Sequence, residues 1–304
     1  MRLNHTLSTY YLGIYLLREL DLELSFINKH SALPHFTYYW FLLCLCHDVG
    51  YSKENSYLRK SCSVESNPGL IEAKIQSIFA NNPCAIPQSI QDRVPYSAKL
   101  IEDYNHYIQE ECGHMEHGTE GAIDLFSGLL KHHKDIVIHF GPAGATSFVF
   151  NKVRISKESI SRFAEISALV AIHNIWLAND PTSKKCYESF SKGDLKALIG
   201  TKYYIASDAI LFWMLELADS IEPLKRCSEL GYHKNILDAI NISAGRRGEI
   251  CTIDLKYNRR NLCTSFLNSW IHGIVDMKNW IDDMTVERND KTNSVKICFI
   301  IKTV

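Results

Sequence analysis

The sequence predicts a mainly α-helical protein that ends in a small α/β appendage, and two patterns support this fold class. Up to about residue 230, apolar residues recur every three or four positions in several segments, which is the spacing of helices that bury one face. Beyond residue 230, two short segments flank Gly245–Gly248 as strands flank a hairpin turn, and the chain ends in a β-branched segment. We therefore expect a helical domain over residues 1–230 and an α/β appendage over residues 231–304.

The helical part contains two segments that break helices. Ser61–Val94 carries Pro68, Pro83 and Pro87, and it predicts an insertion that we expect to cover the site as a lid. Phe140–Val153 is the second irregular stretch. Helices are expected around Leu12–Glu19 and over Ser31–Cys46, Ala98–Gln109, Gly118–His132, Ser159–Ala178 and Ser207–Leu217.

The C-terminal part carries the signals of a hairpin, a helix and a strand. Ile236–Ala244 and Glu249–Tyr257 are predicted to pair around the turn Gly245–Gly248. Arg260–Met284 has the pattern of an amphipathic helix, and Val295–Val304 has the β-branched composition of a strand.

Composition and charge exclude several classes of protein. Of the 304 residues, 46% are hydrophobic, so the chain can bury a core and is not a disordered protein. The net charge of −1 gives no electrostatic case for general nucleic-acid binding, although a local basic pocket for a small phosphorylated ligand is compatible with it. The longest apolar run, Tyr38–Cys46, is too short to cross a bilayer, which needs about 20 residues.

The cysteines and the N-terminal segment indicate the compartment. The 10 cysteines are scattered singly without a Cys-x-x-Cys pair, which is typical of reduced thiols in a cytosolic protein. Met1–Tyr10 is polar, and Arg18 and Glu19 soon interrupt the apolar stretch that follows, so no signal peptide is predicted. We expect a cytoplasmic protein without a membrane segment, and the sequence leaves a homo-oligomer open.

The motif His47-Asp48-Val49-Gly50 follows the apolar helix Phe36–Cys46. Where a helix ends, adjacent His and Asp side chains can both turn toward one metal ion, and a carboxylate can bridge two ions. The same dipeptide also fits a plain helix C-terminal cap, so the motif alone leaves both interpretations open.

Four further residues support the metal interpretation: His5, His117, His173 and Asp219. His5 lies near the start of the first helix, and the other three lie within or beside apolar helical segments, where a polar side chain needs a hydrogen bond or a ligand. Together with the dipeptide they supply four His and two Asp, which is enough for a two-metal site.

In this order the residues resemble the HD-domain superfamily of metal-dependent phosphohydrolases, whose fold is a helical bundle. Leu43–Gly50 is similar to the family's apolar-His-Asp-apolar-Gly signature, and His117–Ala122 is similar to its His-Gly-x-x-Gly-Ala helix start. Leu217–Asp219 resembles the last ligand of the family, and the resemblance covers about residues 1–230.

The resemblance implies a role for each of these residues. His47, Asp48 and Asp219 would be central ligands with Asp48 bridging, and His117 and His173 would bind the second metal. His5 would be the first ligand, with His30 and His35 as alternatives for that position.

The expected activity is the hydrolysis of a small phosphorylated molecule, most plausibly a nucleotide, by a hydroxide formed between two divalent ions. The donor set suits Fe, Mn, Co, Ni or Zn. Asp48 would orient the ions and accept a proton, and Lys53 and Arg226, with Lys225 as a further candidate, are predicted to bind phosphate.

Two other functions remain open on the sequence alone. The same ligand order resembles di-iron oxygenases built on this scaffold, such as myo-inositol oxygenase. A regulatory module that senses a nucleotide is the third hypothesis. The departures from well-known branches of the superfamily, such as Tyr51 after the His-Asp-Val-Gly unit, leave the subfamily open.

Overall fold

A computed structural model describes residues 2–22, 36–50, 117–139, 166–171, 173, 210–225, 236–279, 281 and 283–301. Within these ranges the helices are α1 Arg2–Glu19, α2 Phe36–Cys46, α3 His117–His139, α4 Ile210–Ile221 and α5 Thr264–Asp276, and residues 166–171 are also helical. The strands are β1 Ile240–Arg247, β2 Ile250–Tyr257, β3 Met284–Asn289 and β4 Ser294–Ile300, with short 3₁₀ turns at Arg259–Asn261 and Met277–Asn279.

The helical segments predicted for residues 1–230 are helical wherever they fall within the described ranges, except that His173 lies in a turn. α2 and α4 lie close to their expected positions, whereas α1 begins at Arg2 and α3 runs to His139, so both are longer than expected. The predicted insertion Ser61–Val94, the helix Ala98–Gln109 and the irregular stretch Phe140–Val153 lie outside the described residues.

The predicted fold class, a mainly α HD-domain bundle with a small α/β appendage, is wrong for the described residues. They are 57% helical and 23% strand, and all four strands form one antiparallel sheet in the order β1-β2-β4-β3. The architecture is therefore α+β. Part of the error lies in Arg260–Met284, where a single long helix was expected: α5 ends at Asp276, and the unpredicted strand β3 begins at Met284.

The predicted hairpin is present, but its turn lies further along the chain than expected. Arg247 pairs with Ile250, so Gly248 and Glu249 form a two-residue turn. Gly248 has a φ of +62°, the left-handed conformation that glycine adopts without a steric penalty and that such hairpin turns require. Arg246 lies within β1, and its guanidinium donates to the carbonyls of Gly248 at 2.7 Å and Asp21 at 3.0 Å.

The sheet buries one face against the helices. Along β2 and β4, alternate residues are buried: Cys251, Ile253, Leu255 and Tyr257 on β2, and Val295, Ile297 and Phe299 on β4. The Phe299 ring lies 4.4 Å from Trp213 of α4, and the Tyr257 ring lies 6.3 Å from Trp270 of α5. This period of two is what a sheet with one covered face requires.

The helices and the sheet share one hydrophobic cluster among the described residues. Trp270 Nε1 of α5 donates to the Ile221 carbonyl at the end of α4, at 3.0 Å, and Trp40 Nε1 of α2 donates to the Tyr10 carbonyl of α1, at 2.9 Å. The division of the chain into two domains at residue 230 stays a prediction. These contacts hold α4 against α5 and α2 against α1, and α1, α2 and α4 are helices on which the polar cluster described below is built.

The described cysteines are free thiols, as expected: Cys44, Cys46, Cys251, Cys263 and Cys298. None of the helices in the described ranges is both long and apolar enough to span a membrane.

Candidate metal centre

Five separate parts of the chain bring the six predicted ligands into one buried region. His5 comes from the first turns of α1, His117 begins α3, and Asp219 lies on α4. His47 and Asp48 lie in the turn after α2, and His173 follows the helical residues 166–171. None of the six is more than 9% exposed. Such burial of polar side chains is costly unless they are satisfied by partners or by a ligand.

Two glycines allow the turn after α2 to lie against α3. A Cβ atom on Gly50 would overlap the backbone carbonyl of His117, and one on Gly121 would lie 2.9 Å from the Cys46 carbonyl. The backbone of the His47–Gly50 turn therefore approaches the start of α3 more closely than a side chain would permit. This packing explains physically why glycines stand in two of the three motifs on which the resemblance rests.

The first cluster consists of His5, His47, Asp48 and Asp219. Asp219 Oδ1 lies 3.0 Å from His5 Nε2 and 3.4 Å from His47 Nε2. Asp48 completes the group, with Oδ2 3.6 Å from His5 Nε2 and Oδ1 3.6 Å from His47 Nε2. Two imidazole nitrogens and two carboxylates thus converge on one point.

The second cluster consists of Asp48, His117 and His173, whose ligand atoms lie within 4.8 Å of one another. His117 Nε2 lies 4.0 Å from Asp48 Oδ1, and the rings of His117 and His173 are 5.2 Å apart. Asp48 belongs to both clusters, which is the position that a carboxylate bridging two ions would occupy.

Backbone carbonyls determine which nitrogen of two histidines faces the clusters. His47 Nδ1 lies 2.6 Å from the Cys44 carbonyl, and His173 Nδ1 lies 2.6 Å from the Val170 carbonyl. A carbonyl oxygen can only accept, so both Nδ1 atoms carry a proton, and Nε2 is the ring nitrogen that faces the clusters. Histidines that bind metals are held in the same way.

Several inward-facing atoms of the first cluster have no hydrogen-bond partner among the described residues. They are His5 Nε2, His47 Nε2, Asp48 Oδ1 and Asp219 Oδ1. The two closest of these atoms, His5 Nε2 and Asp219 Oδ1, are 3.0 Å apart but are not aligned for a hydrogen bond. Since a divalent ion would satisfy all four atoms at once, these residues fit a metal of the His- and carboxylate-binding kind. The buried His/Asp clusters could therefore hold metal ions.

The charges of the first cluster also favour a cation. Burial works against the ionised form of Asp219, but Lys225 and the neighbouring histidines outweigh it and hold its pKa well below the usual value. The pKa of Asp48 is lowered too, because His47 and Lys225 outweigh the effect of burial. Burial alone would lower the pKa of His5, yet the neighbouring carboxylates of Asp219 and Glu222 raise it to about 10. In the metal-free protein a proton on His5 therefore supplies positive charge.

The structure adds one residue that the sequence prediction lacks, Glu222, and it places Lys225, a predicted candidate for binding phosphate, at the first cluster. Glu222 Oε2 accepts from His5 Nδ1 at 2.6 Å, and Lys225 Nζ forms an ion pair with Asp219 Oδ2. A signal for Glu222 was available, because Asp219 and Glu222 are three residues apart and share one helix face. Pro223, a residue favoured at the first position of a helix, directly follows Glu222.

The predicted phosphate-binding residues Lys53 and Arg226 lie outside the described residues, as do the alternative ligands His30 and His35. The described cation at the cluster is Lys225, the residue immediately before Arg226.

Comparison with known proteins gives no relative from which a role could be transferred. No family model matches the chain, and neither a curated protein nor a solved structure matches it. The function must therefore be argued from the two clusters themselves.

Proposed function

We propose that this protein is a metal-dependent phosphohydrolase that acts on a small phosphorylated molecule, with a nucleotide as the proposed substrate. The observation that supports the proposal is the pair of buried His/Asp clusters that share Asp48. The order of the ligands along the chain adds the resemblance to the HD-domain superfamily, and we propose membership on that ground. Divalent ions of Fe, Mn, Co, Ni or Zn suit these donors.

The proposed roles of the side chains follow from their positions. His5, His47 and Asp219 would hold one ion, His117 and His173 the other, and Asp48 both. Hydrogen bonds from Nδ1 of His47 and His173 to backbone carbonyls keep those rings oriented before any ligand arrives. When bound, a pair of divalent ions activates water and neutralises charge on a phosphoryl group.

The position of Lys225 supports the proposal that the substrate is an anion. The ammonium group of Lys225 lies on Asp219 Oδ2 at the edge of the first cluster, with 27% of the side chain exposed. A cation that contacts both a ligand and solvent can meet an approaching phosphate oxygen and offset the charge that develops there. We propose that Lys53 and Arg226 extend this basic edge and that the insertion over residues 61–94 covers it.

The test is a substrate screen on protein that has been stripped of metal and reloaded separately with Mn, Fe(II), Co, Ni or Zn. We expect release of inorganic phosphate or of a phosphomonoester from nucleotides with at least one of these metals, and none after chelation. Oxygen consumption by the iron-loaded protein without any phosphate release would contradict the proposal and identify an oxygenase.

A companion experiment separates binding of the substrate from binding of the metal. Lys225→Ala and Arg226→Ala should each raise the KM for the phosphorylated substrate while the metal content stays the same. Lys296→Ala, on the exposed face of the sheet, is the matched control, because it removes a lysine that contacts neither cluster.

A further inference from the structure

Glu222 is a buried carboxylate that faces three nitrogen atoms. It directly follows α4 and is 1% exposed. Its Oε1 accepts the backbone N–H of Leu224 at 2.9 Å, and its Oε2 accepts the backbone N–H of Lys225 at 2.9 Å. The third nitrogen is His5 Nδ1, 2.6 Å from Oε2, although the two residues are 217 positions apart in the chain.

Both oxygens of Glu222 accept hydrogen bonds from backbone amides, as the oxygens of an ionised carboxylate do. We assign the proton between His5 Nδ1 and Oε2 to the imidazole, which donates it to the carboxylate. The other atom near His5 Nδ1 is the Thr9 hydroxyl, at 3.5 Å, which is much longer. Glu222 therefore turns His5 so that Nε2 faces Asp48 and Asp219.

The same carboxylate positions the cation of the cluster. By accepting the N–H groups of Leu224 and Lys225 it caps the helical turn that begins after Pro223, as an N-cap side chain does. This cap fixes the backbone of Lys225, whose ammonium group pairs with Asp219. One side chain thus orients a ligand from one side of the cluster and its lysine from the other.

We infer that Glu222 is the positioning residue of the first cluster, which acts on the bound ion through His5 and Lys225. The inference rests on the proposed function, because it assumes that the cluster binds a metal. His47 and His173 are oriented by backbone carbonyls, which no side-chain substitution removes. His5 depends on a side chain instead, so the first cluster can be weakened without the second.

Glu222→Gln tests this, since an amide offers one acceptor oxygen where the contacts require two. In a calorimetric titration with Mn(II), we expect the affinity for one ion to fall about 10- to 100-fold, as for other residues that orient metal ligands, while the other ion binds as before. Trp270→Phe is the matched control, because it removes the hydrogen bond to Ile221 at the same helix end and leaves His5 in place. We expect this control to bind both ions with the affinity of the wild type.

A double-mutant cycle separates positioning from a general loss of stability. If Glu222 acts through His5, then His5→Ala and Glu222→Gln weaken the same ion, and the double variant loses less affinity than the sum of the two single losses. Additive losses, or unchanged affinities for both ions together with a lowered melting temperature, would show that Glu222 is a helix cap and would overturn the inference. A wild-type protein that binds no Mn(II) would instead overturn the proposed function itself.

A measurement on the wild-type protein keeps the inference testable if Glu222→Gln does not fold. In ¹⁵N-histidine spectra of the Zn(II)-loaded protein, His5 should retain its proton on Nδ1 and show the metal shift at Nε2. A proton on Nε2 with the metal shift at Nδ1 would contradict the role given to Glu222.

Discussion

The sheet and the metal centre use burial in opposite ways. On β2 and β4 the buried positions are apolar, as at Ile253 and Ile297, which pair across the two strands. In the turn after α2 the buried positions are His47 and Asp48, and several of the inward-facing atoms around them have no hydrogen-bond partner among the described residues. Burial in the sheet stabilises the fold, whereas burial of the polar cluster is costly, and a metal ion bound there would offset that cost.

The largest effect that this comparison predicts is at Asp48. Asp48→Ala removes the carboxylate common to both clusters, so we expect both ions to be lost and phosphate release to fall by about 10³-fold or more. Elemental analysis and circular dichroism of the purified variant check this, and helix content should be retained. Asp254→Ala, on the outer face of β2, is the control, and two ions still bound to Asp48→Ala would show that Asp48 does not bridge.

A substitution in the sheet should have the reverse effect. Ile253→Ala deletes a fully buried side chain, and we expect it to lower the free energy of unfolding by about 2–5 kcal/mol, measured in urea. The folded variant should bind metal with the stoichiometry of the wild type. If Ile253→Ala released metal at urea concentrations where the protein stays folded, the sheet and the centre would not be separable in this way.

Within the centre, the second cluster should be separable from the first. His117→Ala and His173→Ala each remove a donor found in the second cluster and not in the first, so we expect one ion to be lost and the other kept. Competition with a chelator of known affinity, followed by elemental analysis, counts the ions that remain. Loss of both ions at the same chelator concentration would mean that the clusters form a single site.

The smallest predicted effect is a pH dependence of the metal-free protein. The pKa of His5 rises from 6.5 to about 10 on folding, because Asp219 and Glu222 outweigh the effect of burial. A proton bound more tightly in the folded state stabilises it, so this contribution is complete below pH 6.5 and is lost as the pH rises through 10. Between pH 7 and 10 the stability of the wild type should therefore fall by about 2–4 kcal/mol more than that of His5→Gln. Urea unfolding in the presence of a chelator measures both, and parallel pH curves would contradict the charge assigned to His5.

The four helices α1–α4 were predictable because their apolar residues follow the helical period. The strand β3 was not, because helical spacing continues past the end of α5: Trp270, Ile274, Met277 and Ile281 are all buried, although the α-helix ends at Asp276. Residues beyond that point keep their burial through a 3₁₀ turn and the loop that leads into β3. A periodic pattern therefore indicates which residues are buried, but it does not determine whether their own backbone is helical.

The candidate metal centre was likewise predictable only in part. The six clustered residues could be identified from their chemistry and from the motifs around them, since buried His and Asp side chains require hydrogen-bond partners or a ligand. The partner of His5 could not be predicted, because Glu222 is 217 residues away and only the packing of α1 against α4 brings the two together. The cation at Asp219 is Lys225, one of the candidate phosphate-binding residues of the sequence, and its contact with Asp219 depends on the turn capped by Glu222, which directs that backbone position toward the cluster.

Anomalous diffraction from crystals of the protein loaded with Mn(II) shows directly whether Asp48 lies between two ions. We expect two anomalous peaks on either side of Asp48, about 3.5–4 Å apart, one within bonding distance of His5, His47 and Asp219 and the other of His117 and His173. A well-ordered crystal with the six side chains in place and no anomalous peak beside Asp48 would contradict this expectation.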